Sequence, residues 1–126
     1  MIFSEIFDLV EYINSACKVS CEFGDRDLGS DEYPFVKVLM DEEFDLFKAN
    51  RLSTFTNIPL TIKIIVRKGN ERDALEVLEK LGQKINQFNS QRGHQVGESA
   101  TPEYVDETKT YEISISYILK LIIQDT

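Results

Sequence analysis

The sequence predicts an α+β fold: a mostly antiparallel four-stranded sheet with two helices packed on one face. Three observations predict it. From Tyr111 to Ile123 every odd position is apolar, so Tyr111, Ile113, Ile115, Tyr117, Leu119, Leu121 and Ile123 share one face of an extended chain. The segment from Leu60 to Arg67 alternates in the same way. Two other segments, 4–17 and about 71–88, repeat their apolar residues at the helical steps of three and four. The order helix, strand, strand, strand, helix, strand is that of an α+β sandwich.

In the first helix Phe3, Ile6, Val10, Ile13 and Cys17 form the apolar stripe, and Glu5, Asp8, Glu11, Tyr12 and Ser15 the wet side. Acidic residues in the first turn suit the helix dipole. Lys18 to Phe23 switches to alternation and reads as a short strand. Gly24 to Asp31 is a polar loop with two glycines. Tyr33 to Met40 is a second strand, with Pro34 at its start, where a missing donor is tolerated.

The acidic cluster Asp41, Glu42 and Glu43 ends that strand, and no period holds from there to Ile58. Phe44, Phe47 and Phe55 lie in this connection, and a long loop carrying aromatics either packs on itself or meets a partner. In the strand Leu60–Arg67, residues Leu60, Ile62, Ile64 and Val66 face one way and Thr61, Lys63, Ile65 and Arg67 the other. Asn70 is placed as the N-cap of the second helix, with Asp73 as the acidic residue three positions on. Ala74, Leu75, Leu78, Leu81, Ile85 and Phe88 form its expected buried stripe, and Gly82 on the stripe's edge allows close approach to a sheet.

Residues 89–110 are polar, with Gly93, Gly97 and Pro102, and read as a mobile arm or weak hairpin. A strand-helix-strand connection usually sets its strands parallel, although an arm of this length permits an antiparallel return. The last strand would rise about 41 Å at roughly 3.4 Å per step, against a diameter of roughly 36 Å for a compact chain of this size. It bends or it projects. On its even face Glu112, Ser114 and Ser116 are polar, whereas Ile118 and Ile122 flank Lys120. Residues 118–123 therefore read as a strand covered on both sides, with a neighbouring subunit as a second cover.

The 126 residues fit one domain, 1–126, with long loops at about 41–58 and 89–110, and 42% hydrophobic residues suffice for a core. The longest apolar run falls short of the roughly 20 residues of a membrane span, and Met1 to Glu5 carries no basic n-region. The chain reads as soluble and non-exported. Cys17 and Cys21 are too few for a disulfide framework or a zinc site and are expected to act as small hydrophobes.

Charge is unevenly placed: residues 1–45 carry a net −9, residues 46–92 +5, and residues 93–126 −4. With a net −8, a nucleic-acid clamp is disfavoured. Opposite charge on successive segments suits either a solvated surface or head-to-tail complementarity between copies.

Enzyme readings lack parts, and none is expected. No phosphate-binding glycine loop occurs, and His94, the single histidine, lies in the polar arm. Asp25 with Asp27, or Asp41 with Glu43, lacks the spacing of a calcium loop. No cofactor or metal is expected.

The N-terminal amphipathic helix, the strand Pro59–Val66, the helix Asp73–Leu81 and the long closing strand resemble the tail terminator (tail-completion, minor tail protein) family of long-tailed bacteriophages. The resemblance lies in element order, size and patterning across most of the chain, without a signature motif. It implies a structural virion protein: a hexameric ring that caps the tail tube at its head-proximal end, stops polymerisation and meets the head connector. Its implied partners are further copies of itself, the tail tube protein and a head-completion protein, with DNA passing through unbound. The residues expected at the subunit interface are Ile118, Lys120, Ile122, Asp41, Glu42, Glu43, Lys63 and Arg67, and Phe44, Phe47 and Phe55 are expected to contact partners. The competing expectation is a small-molecule-binding regulatory domain with a ferredoxin-like sandwich. A metal enzyme using Asp41, Glu42 or Glu43 ranks below both.

Overall fold

The computed structural model describes residues 4–29, 31–40, 55–88 and 93–122, with the side chains of 55–57, 93–99 and 120–122 outside the description. The elements are α1 (Ser4–Cys17), β1 (Ser20–Phe23), β2 (Phe35–Met40), β3 (Phe55–Arg67), α2 (Glu71–Lys84) with a 3-10 turn at Ile85–Gln87, β4 (Gly93–Val105) and β5 (Thr110–Ile122). The α+β class stands, but the sheet has five strands, not four, in the order β1-β2-β3-β5-β4. It is also mixed: β1 runs parallel to β2, and the other pairings are antiparallel. No described helix is long and apolar enough to cross a membrane.

The extra strand is β4, formed within the segment expected to be a mobile arm or weak hairpin. It hairpins onto β5 through Asp106–Lys109, where Lys109 takes a left-handed φ of 54°. Because β4 intervenes after α2, β5 returns antiparallel to β3, in unbroken register from Phe55 opposite Ile122 to Arg67 opposite Thr110. Strand β3 is five residues longer than its alternation suggested and runs through Pro59.

One hydrogen bond sets the phase of the whole ladder. Lys68 N–H donates to Lys109 O at 2.9 Å, flanking the Arg67–Thr110 pair and marking it as a non-hydrogen-bonded pair. Alternation then makes the odd residues of β5 bond to β3 and the even ones to β4. By the same count, Pro59 turns its nitrogen toward the β2 side, beyond the last described β2 pair, Met40 with Leu60. No donor is missed in the described ladder.

Both helices pack on one sheet face. Val36, Val38, Ile58, Leu60, Ile62, Ile64, Val66 and the odd residues Tyr111 to Leu119 form one buried cluster with Ile6, Leu9, Ile13, Ala74, Leu81, Ile85 and Phe88. Truncating such a residue to alanine typically costs about 2–5 kcal/mol. Two stripe assignments shift. Leu75 is 53% exposed while Val77 is buried, because α2 meets the sheet through Ala74, Val77 and Leu81. In α1, Leu9 is buried, and Tyr12 is drawn inward, its hydroxyl donating to Lys84 O at 2.9 Å and its ring lying 5.3 Å from that of Phe88.

Gly82 is not a point of close approach to the sheet: a Cβ there would meet nothing within 4 Å. Asn70 makes no side-chain cap; its backbone O accepts from Asp73 N–H, and the Glu71 carboxylate accepts from Gly69 N–H. Gly69 itself holds a left-handed φ of 102°.

Candidate assembly surfaces

The parallel pairing of β1 with β2 sends the intervening loop over the sheet face opposite the helices. There Arg26 stacks 5.2 Å above the Phe35 ring and pairs with Glu22 and Glu32, and Lys37 Nζ lies 2.7 Å from Asp25 Oδ1. Under this cover Phe35, Lys37 and Ile65 are buried. Asp25 therefore pairs with Lys37, not with Asp27, and Lys37 holds its carboxyl below the usual range. Arg26 and the Gly29 N–H bring Glu32 down to about 2.

Past the loop, the described rows of this face read Lys63, Ser114, Thr101, then Leu39, Thr61, Ser116, then Pro59, Ile118, His94. Lys63, expected as an interface cation, is compensated within the chain: its Nζ lies 3.4 Å from Glu112 Oε1. Leu39, Pro59 and Ile118 are each half-buried on this face. The backbones at Lys120 and Ile122 continue β5 opposite Asn57 and Phe55. Asp41, Glu42, Glu43, Phe44 and Phe47 lie outside the described residues, as do the side chains of Phe55, His94, Lys120 and Ile122.

The two sheet edges are guarded differently. Cys21 points its backbone groups away from β2, and the Asn14 side chain takes both of them at 2.8 Å. At the other edge, the ladder phase turns Ala100, Pro102 and Tyr104 outward. Pro102 offers no donor, and the register shifts between Gln95 and Ala100. Proline and a bulge are standard guards against strand addition.

The hairpin end of the sheet carries a cleft whose charged lining residues are cations. Leu28, Tyr33, Arg67, Lys68, Thr108 and Lys109 line this cleft of about 650 Å³. Arg67 shares an adjoining cavity of about 280 Å³ with Asp31, Tyr33, Asn70 and Asp73. Lys68 Nζ pairs with Asp106 at 3.2 Å and sits 5.6 Å over the Tyr104 ring, whereas Arg67 and Lys109 have no ion pair among the described residues. Charge split by segment predicted a basic middle third. Lys109 joins it only because the β4–β5 turn folds back beside Arg67, which the sequence order does not reveal.

Chemistry is sparse. Cys17 and Cys21 are free and buried, and burial pushes the Cys21 thiol up to about 12, so it stays protonated and unreactive. Among the described residues no group of three His, Cys, Asp or Glu could hold a metal ion.

No protein-family model and no curated protein matches this sequence. Among solved structures, a chain from the virion of a native gene transfer agent particle superimposes with a TM-score of 0.58 at 9% identity, covering 94% of this chain and 92% of that one. A core domain from Akkermansia muciniphila superimposes with a TM-score of 0.48 at 14% identity, over 96% of this chain and 57% of that one. A further Akkermansia muciniphila structure gives 0.48 at 14%, over 98% of this chain and 50% of that one. The first of these likenesses shows a shared fold.

Proposed function

We propose that this protein is a structural component of a virion, of the tail-terminator kind: a non-enzymatic subunit that assembles into a ring, caps the tail tube and meets the head connector. The observation that carries the reading is the end-to-end likeness to a chain of a gene transfer agent virion, which leaves almost nothing of either chain unmatched. The family resemblance of the sequence points the same way. Guarded strand edges and a cleft whose charged lining residues are cations are compatible with closure through side-chain contacts between copies.

In this reading the ring holds six copies, at the head-proximal end of the tail. Its partners are the tail tube and head-completion proteins, DNA crosses the lumen without specific contacts, and no cofactor is used. Ile118 and Arg67 remain proposed interface residues, together with Lys120, Ile122 and the acidic cluster Asp41–Glu43. Lys63, held by Glu112, is a weaker candidate.

Sedimentation velocity and negative-stain imaging of the purified protein test the reading. Closed rings with the mass of six chains are expected. A monomer across the micromolar range, alone and with tail-tube protein, overturns it.

A further inference from the structure

The cationic cleft has a counterpart on the same molecule. On α1, Phe7, Asp8 and Glu11 are exposed on one face, Phe7 to 49%. Phe7 meets the ring of Phe23, itself 39% exposed, edge-on at 5.8 Å. An exposed aromatic pair rimmed by carboxylates is the composition of a docking knob. The cleft is its complement: Leu28 and Tyr33 give apolar walls, and all three charged residues that line it, Arg67, Lys68 and Lys109, are cations.

The two surfaces cannot meet within one chain. Asn14 sits at Cys21 and Phe7 at Phe23, so α1 runs antiparallel to β1, with its first turns toward the Phe23 end. Phe23 pairs with Val38, and Val38 with Ile62, five residues of β3 before Arg67. Five residues of strand span about 17 Å. Knob and cleft therefore sit on separate parts of the surface, about 17 Å apart along the strands, as a head-to-tail contact between copies requires.

We infer that the α1 face bearing Phe7, Asp8 and Glu11 of one copy seats in the cleft lined by Arg67 and Lys109 of the next. The inference rests on the ring reading and names the contact that would close it. The contact orients through paired charge, with the aromatic pair as its desolvated centre.

The test is charge reversal on each side. Arg67→Glu with Lys109→Glu gives a chain acidic at both surfaces; Asp8→Lys with Glu11→Lys gives one basic at both. All four positions are exposed, and circular dichroism and melting check that each variant remains folded. Each variant alone is expected to sediment as a monomer, and their equimolar mixture to recover the wild-type mass with alternating subunits. Raising salt from about 0.05 M to about 1 M is expected to dissociate the wild type, because the Debye length shrinks several-fold. If the wild type assembles and either variant alone assembles equally well, the inference is overturned while the ring reading stands. If both variants are monomeric but the mixture is too, α1 is not the occupant, and the inference is again overturned. A monomeric wild type removes the ring reading and the contact together.

Discussion

Asn14 binds Cys21 as a neighbouring strand would: its Nδ2 donates to Cys21 O at 2.8 Å, and its Oδ1 accepts from Cys21 N–H at 2.8 Å. Nδ2 also reaches Val10 O at 3.1 Å, so the clamp is braced against its own helix. One side chain thus closes the β1 edge and ties α1 to the sheet. Asn14→Ala is expected to lower stability by about 1–2 kcal/mol, the net value of two hydrogen bonds, and to raise aggregation through the reopened edge. Urea denaturation measures the first and light scattering the second. Unchanged behaviour in both would mean the clamp is incidental.

The loop over the outer face should loosen in acid. Glu32 is brought from the ordinary 4.5 to about 2 by Arg26 and the Gly29 N–H. Its folded pKa lies below its unfolded one, so the ordering it contributes is fully present above about pH 4.5 and is lost as pH falls through about 2. The side chain is solvent-accessible, so the effect is expected in local order more than in global stability. A carbon-detected titration of the Glu32 carboxyl should show its midpoint near 2. A midpoint above 4 would remove the Arg26 pairing from the solution structure.

Tyr117 is 1% exposed, and its hydroxyl has no hydrogen-bond partner among the described residues. Burial alone pushes its pKa up to about 12. A buried hydroxyl without a partner costs about 1–3 kcal/mol, so Tyr117→Phe should leave the melting temperature unchanged or raise it. A loss of more than about 1 kcal/mol would show that the hydroxyl is bonded.

What the sequence revealed follows how many faces of each element are buried. The closing strand was plain because Tyr111 to Leu119 supply one wholly apolar face, and β5 begins only one residue earlier, at Thr110. Strand β4 was hidden. Its register sets Gly93, Gln95, Ala100, Pro102 and Tyr104 opposite the odd residues of β5, an edge row with one small aliphatic and a tyrosine 55% exposed, which leaves no alternation to read. The extension of β3 was masked by Pro59, which reads as a boundary until the ladder phase shows its nitrogen turned away from β5. Among the site residues, Arg67 was legible from the charge split, but Lys109 and the Phe7–Phe23 pair needed the hairpin and the α1–β1 packing.

The sheet face beyond the loop gives the last prediction. Ile118 pairs with Pro59 and His94 in register and stays half-buried, whereas Tyr117 and Leu119 beside it are buried under the helices. An apolar residue kept on an otherwise polar row, after Ser114 and Ser116, is placed where a second surface can cover it. Ile118→Asp with Ile122→Asp is therefore expected to abolish assembly and leave a folded monomer, since Ile118 is only half-buried in the single chain. Sedimentation reads the mass, and far-ultraviolet circular dichroism reads the fold. An unchanged oligomer would exclude this face from the interface. An unfolded chain would show that Ile118 serves the monomer's own packing, and the milder Ile118→Thr then separates the two roles through its effect on assembly alone.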